Sequence, residues 1–391
     1  MPPPLLEPKR FKAGPGAGER VGFIAARDLD AGAPLLTIPE SVAITAIDAE
    51  KHPVVGGVAK GCGELVALAL WLMAERAAAA SGGGGAYAPL LAALPESTDS
   101  PILWDDKERD ELLRGSPVLE EARARRAALQ QQWAQLAEQW AAAEPATFDA
   151  AAFNEASFLR AFAVVLANAG QEVLLNDGRP NGEMLLCFGT VQDSNLADCL
   201  YFDAELVRAD KYYTSKEQLM TSMGMTTKER FPVFADRFPI QLLAYLRLSR
   251  IQDPALFAKV SFESDSVISQ MNEYEVLQLL MGDCREKLAE YSSSLEEEIK
   301  ELQSPNLVGR ARLAARLRFA EKTILTQFMD AVRRKLAPVR GIPTKSGGMQ
   351  DPNSDLKEIF DVIESIPAAP AKLFDGFKRW ARGEFDPDWN K

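Results

Sequence analysis

Gly170-Gln-Glu-Val-Leu-Leu-Asn-Asp-Gly-Arg-Pro-Asn-Gly-Glu-Met-Leu-Leu-Cys-Phe-Gly189 is the stretch on which the reading of this chain turns. Upstream, Phe153 to Leu166 has the apolar spacing of a helix, and it runs almost directly into the strand-like Glu172-Val-Leu-Leu175. Beyond Asp203 the helical period returns. A second, short strand-bearing piece therefore lies between long helical regions.

Working outward, Val21 to Ile44 reads as paired strands: Val21-Gly-Phe-Ile-Ala-Ala26, a turn over Leu29 to Pro34, then Leu35 to Ile38 and Val42 to Ile44. From Glu64 the period changes. Leu65, Leu68, Leu72 and Met73 share a helical face that continues into an alanine-rich end and stops at the Gly82 to Gly85 tract. Trp104 to Gly115 reads as a loop followed by a helix ended by glycine. Leu129, Trp133, Leu136 and Trp140 recur at spacings of four, three and four, which is the signature of a core-facing stripe rather than of an aromatic binding platform. After Asp203 the spacing predicts helices over 211–223, 239–251, 272–291 and 308–336, with Leu295 to Leu302 the solvated side of one more. Residues 341–355 read as a linker. Two amphipathic stripes follow it, Leu356, Ile359, Phe360 and Ile363, then Leu373, Phe374, Phe377 and Trp380.

Fifty-six acidic against 44 basic residues, a net charge of −12, argue against a general nucleic-acid binder, whose footprint is a basic face. Cys62, Cys187, Cys199 and Cys284 are spread too widely for a disulfide framework or a Cys-x-x-Cys metal site and fit a reducing compartment. The single histidine, His52, precedes Pro53 in an apparent loop and reads as a solvated residue, which counts against triad or zinc-protease chemistry. No apolar run reaches the ~18–20 residues of a membrane span. Met1 to Lys12 has neither the apolar core of a signal peptide nor the acid-free, serine-rich character of a transit peptide. Gly14-Pro-Gly-Ala-Gly18 precedes a strand instead of following one, so it is not read as a dinucleotide fingerprint.

Three blocks resemble the Rubisco large-subunit lysine methyltransferase branch of the SET proteins, and together they cover most of residues 18–335. Gly18-Glu-Arg-Val-Gly-Phe-Ile-Ala-Ala-Arg-Asp-Leu-Asp-Ala-Gly32 with Leu36-Thr-Ile-Pro-Glu40 is similar to the opening SET motif. Leu94-Pro95, Trp104 and Leu112-Leu-Arg-Gly-Ser-Pro117 resemble the helical insert that separates the two SET halves. Arg237 to Arg247, Asn272-Glu273, Cys284 and Arg312 to Leu325 look like the substrate-binding domain of that branch. The resemblance implies an α+β chain: a small β-rich SET domain split by a helical insert, then an all-α C-terminal domain. The implied divisions are 18–63 and 169–204 for the SET halves, 64–168 for the insert, 205–340 for the substrate-binding domain, and 341–391 for linker and tail.

The same resemblance implies a protein-lysine methyltransferase using S-adenosylmethionine (SAM), a protein partner held by the helical domain, a monomer, and a chloroplast location, with cytoplasm as the alternative. Glu19, Arg20, Val21 and Gly22 would face the cofactor, where glycine admits backbone groups that a Cβ would hold off. Arg20 fills the first of the motif's two usual glycine positions. Asn181 and Glu183 would border the substrate. The two tyrosine positions of the closing motif are Asp177 and Phe188 here, and the family's Asn-His element is missing between Asn168 and Gly170. An oriented hydroxyl donor of this kind commonly supplies several kcal/mol of transition-state stabilisation. Transfer is therefore expected to be weak or absent. The alternative function is a non-catalytic scaffold, and either an omitted exon or evolved loss accounts for the gap.

Overall fold

The computed structural model describes residues 6–12, 19–29, 43–82, 85–169, 178–193, 195–235, 237 and 239–339. The expected strands at 35–38 and 172–175, the Asp177 position, the linker and both tail stripes lie outside them. The fold is α+β, mostly helical with two small antiparallel sheets.

β1 (Leu6–Lys12) and β2 (Glu19–Ala25) form the first sheet, with Leu6 opposite Ala25 and Lys12 opposite Glu19. β2 lies where Val21-Gly-Phe-Ile-Ala predicts a strand, but the strand paired with it precedes it. Pro8, Lys9 and Arg10 hide β1 from pattern reading, because proline and charge are depleted in strands and tolerated at unshared edges. Ile44 stands in irregular chain ahead of α1 (Ala46–Lys51), whose start is fixed by Thr45 donating from N and Oγ1 to Asp48 Oδ2 at 2.8 and 2.7 Å. His52 is not solvated. It follows α1, its Nδ1 accepts from the backbone N–H of Val54 at 3.1 Å, and its Nε2 lies 3.3 Å from Glu75 Oε1.

The first core is helical. It gathers α1, α2 (Gly56–Ala59), α3 (Glu64–Ala80), α5 (Asp106–Leu112), α6 (Pro117–Ala143), α7 (Glu155–Asn168) and α8 (Asn181–Phe188), with α4 (Ala88–Ala93) at its edge. Ser116 caps α6 by accepting from the Val118 N–H at 3.2 Å, and Pro117 sits at the first helical position, where its missing N–H costs nothing. The stripe Leu129, Trp133, Leu136 and Trp140 is buried as its spacing requires. Trp133 stacks on Phe158 at 5.2 Å, and Trp140 meets Phe153 at 4.6 Å while its indole N–H donates to Thr147 Oγ1 at 2.8 Å.

The second core comprises β3 (Leu200–Glu205), α9 (Tyr213–Ser222), β4 (Lys228–Val233), α10 (Ile240–Arg250), α11 (Gln270–Glu290), α12 (Leu295–Gln303) and α13 (Gly309–Val339). The β3–β4 sheet corrects the expectation that residues 205–340 are all-α, since β4 lies between the helices expected over 211–223 and 239–251. Lys228-Glu-Arg-Phe-Pro-Val233 carries three charged residues and a proline, yet Phe231 and Val233 face inward opposite Phe202 and Leu200. α13 belongs to both cores: Ala314 and Leu317 pack in the first, while Ile324, Leu325, Phe328, Val332 and Leu336 pack in the second.

Buried ion pairs fix the second core. Arg247, 1% exposed, donates from Nε and Nη2 to the two oxygens of Glu273 at 2.7 Å each, and Nη2 also reaches Asp265 Oδ1 at 2.6 Å. Glu298 receives Arg318 Nε at 2.6 Å and Lys322 Nζ at 2.7 Å. Burial pushes the Glu298 carboxyl up, but these donors outweigh it and hold the group below its ordinary range.

Candidate functional site

α8 carries the part of Gly170–Gly189 that the structure describes best. Its C-terminal end is set by Gly189, whose φ of 66° is left-handed and whose Cβ, if present, would stand 2.7 Å from the Asp99 backbone. Ser100 Oγ donates to the Leu186 carbonyl at 2.6 Å, which ties the same end to the segment before α5. Asn181, 2% exposed, donates from its backbone N and from Nδ2 to Asp198 at 2.8 and 2.6 Å, and exchanges bonds with the Gln192 backbone at 3.0 and 2.9 Å. These bonds lock Asn181 in place and hold the chain from α8 to β3.

Glu183, two residues on, faces a cleft of about 520 Å³ between α6, α8, β3, β4 and α13. Asp198 and Glu321 also line it, with Arg125 and Arg230 contributing positive charge. Burial raises the Asp198 carboxyl above its usual range, and the bonds from Asn181 offset this only in part. Arg230 lies over the Tyr201 ring, 4.8 Å from its centroid. Burial pushes the Cys199 thiol up to about 11 and the Cys284 thiol up to about 12, so neither supplies a thiolate at neutral pH.

Glu321 is the site residue that pattern reading missed. It is 4% exposed, accepts from Ser116 Oγ at 2.8 Å and from Tyr291 OH at 3.0 Å, and burial pushes its carboxyl up to about 8. The signal was present: Ala314, Leu317, Glu321, Ile324 and Phe328 follow one apolar face of α13, and a carboxylate in such a row has to find partners inside.

Of the expected site residues, Asn181, Glu183 and Phe188 all lie on α8, but only Glu183 lines the cleft. Phe188 is half-buried, and the guanidinium of the exposed Arg179 stands 5.4 Å from its ring centroid. Glu19 to Gly22 lie on β2 opposite Lys12 to Lys9. No described side chain of the β1–β2 hairpin enters either core, and Phe23 is 63% exposed.

Residues 207–325 match the family model described as Rubisco LSMT substrate-binding. Over 383 residues the chain is 23% identical to the chloroplastic Rubisco large subunit N-methyltransferase of Nicotiana tabacum, covering 81% of this chain and 77% of that protein. Residues 207–325 thus match a Rubisco LSMT substrate-binding domain, and the chain as a whole is similar to the Rubisco large-subunit methyltransferases. It is 21% identical to the chloroplastic fructose-bisphosphate aldolase-lysine N-methyltransferase of Arabidopsis thaliana, over 79% of this chain and 76% of that one. The SET domain of LSMT solved with lysine and AdoHcy has the same fold, with a TM-score of 0.70 at 20% identity over 91% of this chain and 95% of that chain.

Within this Rubisco methyltransferase-like chain, several residues that carry the resemblance prove to be internal supports. Arg247, Asn272 and Glu273 form one buried network, in which Asn272 Nδ2 donates to the Arg247 carbonyl at 3.0 Å, and Arg318 and Lys322 converge on Glu298. SAM is the cofactor that methyl transfer in this family uses, and AdoHcy occupies the solved relative. The one former tyrosine position that the structure describes suits that group poorly. SAM carries a positive sulfonium, whereas the Phe188 ring offers no hydroxyl and already has the cationic Arg179 over it. Phe188 itself thus provides no hydroxyl to orient an amine.

Proposed function

We propose that this chain is a SAM-dependent protein-lysine methyltransferase of the SET class whose methyl transfer is weak or lost in this form, and that its helical domain holds a protein. In this reading 18–63 and 169–204 are the SET halves around the 64–168 insert, and 205–340 grips the partner. Glu19, Arg20, Val21 and Gly22 border the cofactor, Phe188 and Asp177 stand at the former tyrosine positions, and Glu183 faces the substrate side, braced by the locked Asn181. The observation that carries it is the contrast between Phe188, hydroxyl-free beneath Arg179, and the buried two-bond Arg247–Glu273 pair of the helical domain. The match of residues 207–325 to the Rubisco LSMT substrate-binding family model supports the protein-binding half. The chloroplast labels of both relatives support a plastid location.

A purely non-catalytic scaffold is the second reading, favoured by the fact that Phe188 and Asp177 lie outside the gap left by the Asn-His element. Losing several polar contacts at about 1–3 kcal/mol each weakens SAM binding by orders of magnitude. Calorimetric titration of the full chain should show no saturation at micromolar SAM, while pull-down with the full chain should recover a protein partner. A low-micromolar SAM dissociation constant with robust radiolabelled methyl transfer would overturn the impaired-enzyme reading. Failure of the full chain to retain any protein would overturn the binding half.

A further inference from the structure

The seam between the two cores closes on one carboxyl. Glu321 lies on α13 between Leu317, packed in the first core, and Ile324, packed in the second. Its Oε1 accepts from Ser116, the cap of α6 in the first core, and its Oε2 accepts from Tyr291, a member of the second. Gly115 presses its backbone on Tyr291 at the same place: its φ is 85°, and a Cβ there would come 2.5 Å from Tyr291 Cα. The carboxyl also forms part of the wall of the 520 Å³ cleft, so water has a route towards it when the seam loosens.

The charges around Glu321 leave it without a counter-ion. Among the described residues no lysine or arginine forms an ion pair with it. Arg318, one turn earlier on α13, is committed to Glu298 and Glu301 on α12, and Lys322 is committed to Glu298 and Ser293. Asp198, on the segment leading to β3, adds negative charge, and Glu290 and Glu298 do the same around Tyr291. Across the cleft Glu121 and Glu183 face Arg125 and Arg230, two acids against two bases. Burial therefore dominates, and it favours the neutral acid.

We propose that Glu321 is a protonation-controlled latch between the two cores: as the neutral acid it keeps Ser116, Tyr291 and α13 closed on one another, and as the carboxylate it draws water in through the cleft and loosens the seam. The latch operates whether or not methyl transfer survives. Ionisation releases one proton to solvent and leaves a buried anion held only by two hydroxyl donors, so the closed seam becomes less favourable as pH rises.

Hydrogen exchange of the full chain, corrected for intrinsic rates, tests this. Peptides spanning 113–122 and 288–294 should lose protection by about tenfold between about pH 7 and about pH 9, while peptides from α3 keep theirs. Glu321→Gln preserves the shape and cannot ionise, so its seam should show no such loss. Tyr291→Phe removes one donor to the anion and should move the midpoint of loosening up by about one pH unit. Equal pH dependence in wild type and Glu321→Gln, or an unmoved midpoint in Tyr291→Phe, would overturn the proposal. If Glu321→Gln does not fold, Tyr291→Phe decides alone.

Discussion

Glu273→Gln is the sharpest test of what holds the helical domain together. Arg247 is 1% exposed, and Glu273 supplies two of its charge-assisted bonds at 2.7 Å. The amide is nearly isosteric, so packing survives, but it offers one acceptor where the carboxylate offered two and carries no charge. Nη1 of Arg247 already lacks a partner, which leaves Asp265 as the remaining counter-charge. Breaking a buried pair from one side costs about 3–5 kcal/mol, because the surviving charge is uncompensated. Urea melts of the full chain followed by circular dichroism should show that loss. Arg247→Met with Glu273→Leu should recover most of it, since an apolar pair of similar volume has no charge to desolvate. A cost below about 1 kcal/mol for Glu273→Gln, or a double mutant as unstable as the two single changes added, would refute the argument.

The pair also has a pH signature. Burial raises Asp265, but bonds from Lys335 and Arg247 outweigh it and hold the carboxyl below its ordinary range. Its contribution is therefore present at neutral pH and lost as pH falls through the depressed folded value. Glu273→Gln, which leaves Asp265 as the remaining counter-ion, should steepen acid unfolding, visible as a larger drop in midpoint denaturant on acidification. Phe188→Tyr alone should not restore methyl transfer in a radiolabel assay, since a hydroxyl helps only where cofactor and amine are already aligned; robust turnover would make Phe188 the sole lesion. Gly189→Ala should destabilise the chain by about 2 kcal/mol or more, because a left-handed φ and a 2.7 Å approach to Asp99 both oppose a Cβ. A thermal midpoint unchanged from wild type would show that the backbone there yields freely.

Helices were the legible part of this sequence. The α6 stripe and the apolar rows of α10, α11 and α13 declare themselves because burial on one side of a helix repeats every three to four residues. β1 and β4 were illegible for a physical reason. Each is a six- or seven-residue strand in a two-stranded sheet, where an edge tolerates proline and charge and alternation has little length in which to show. His52 misled because a histidine before proline resembles a solvated turn, whereas the partner that buries it, Glu75, is remote in sequence. At the site, motif likeness picked out α8 but could not separate Asn181, consumed by Asp198 and Gln192, from Glu183, which faces the cleft. Glu321 was hidden among residues whose likeness was to a domain, not to a role.

α13 has a consequence for how the chain comes to be folded. At 31 residues, about 46 Å of helix, it is made after everything the first core otherwise needs, yet that core closes only when Ala314 and Leu317 arrive. On the ribosome, the helices from α1 to α8 must wait through the synthesis of more than a hundred further residues with an open apolar face. The core that is made first is therefore completed only shortly before the second, and its folding rate is tied to long-range docking rather than to its own local contacts.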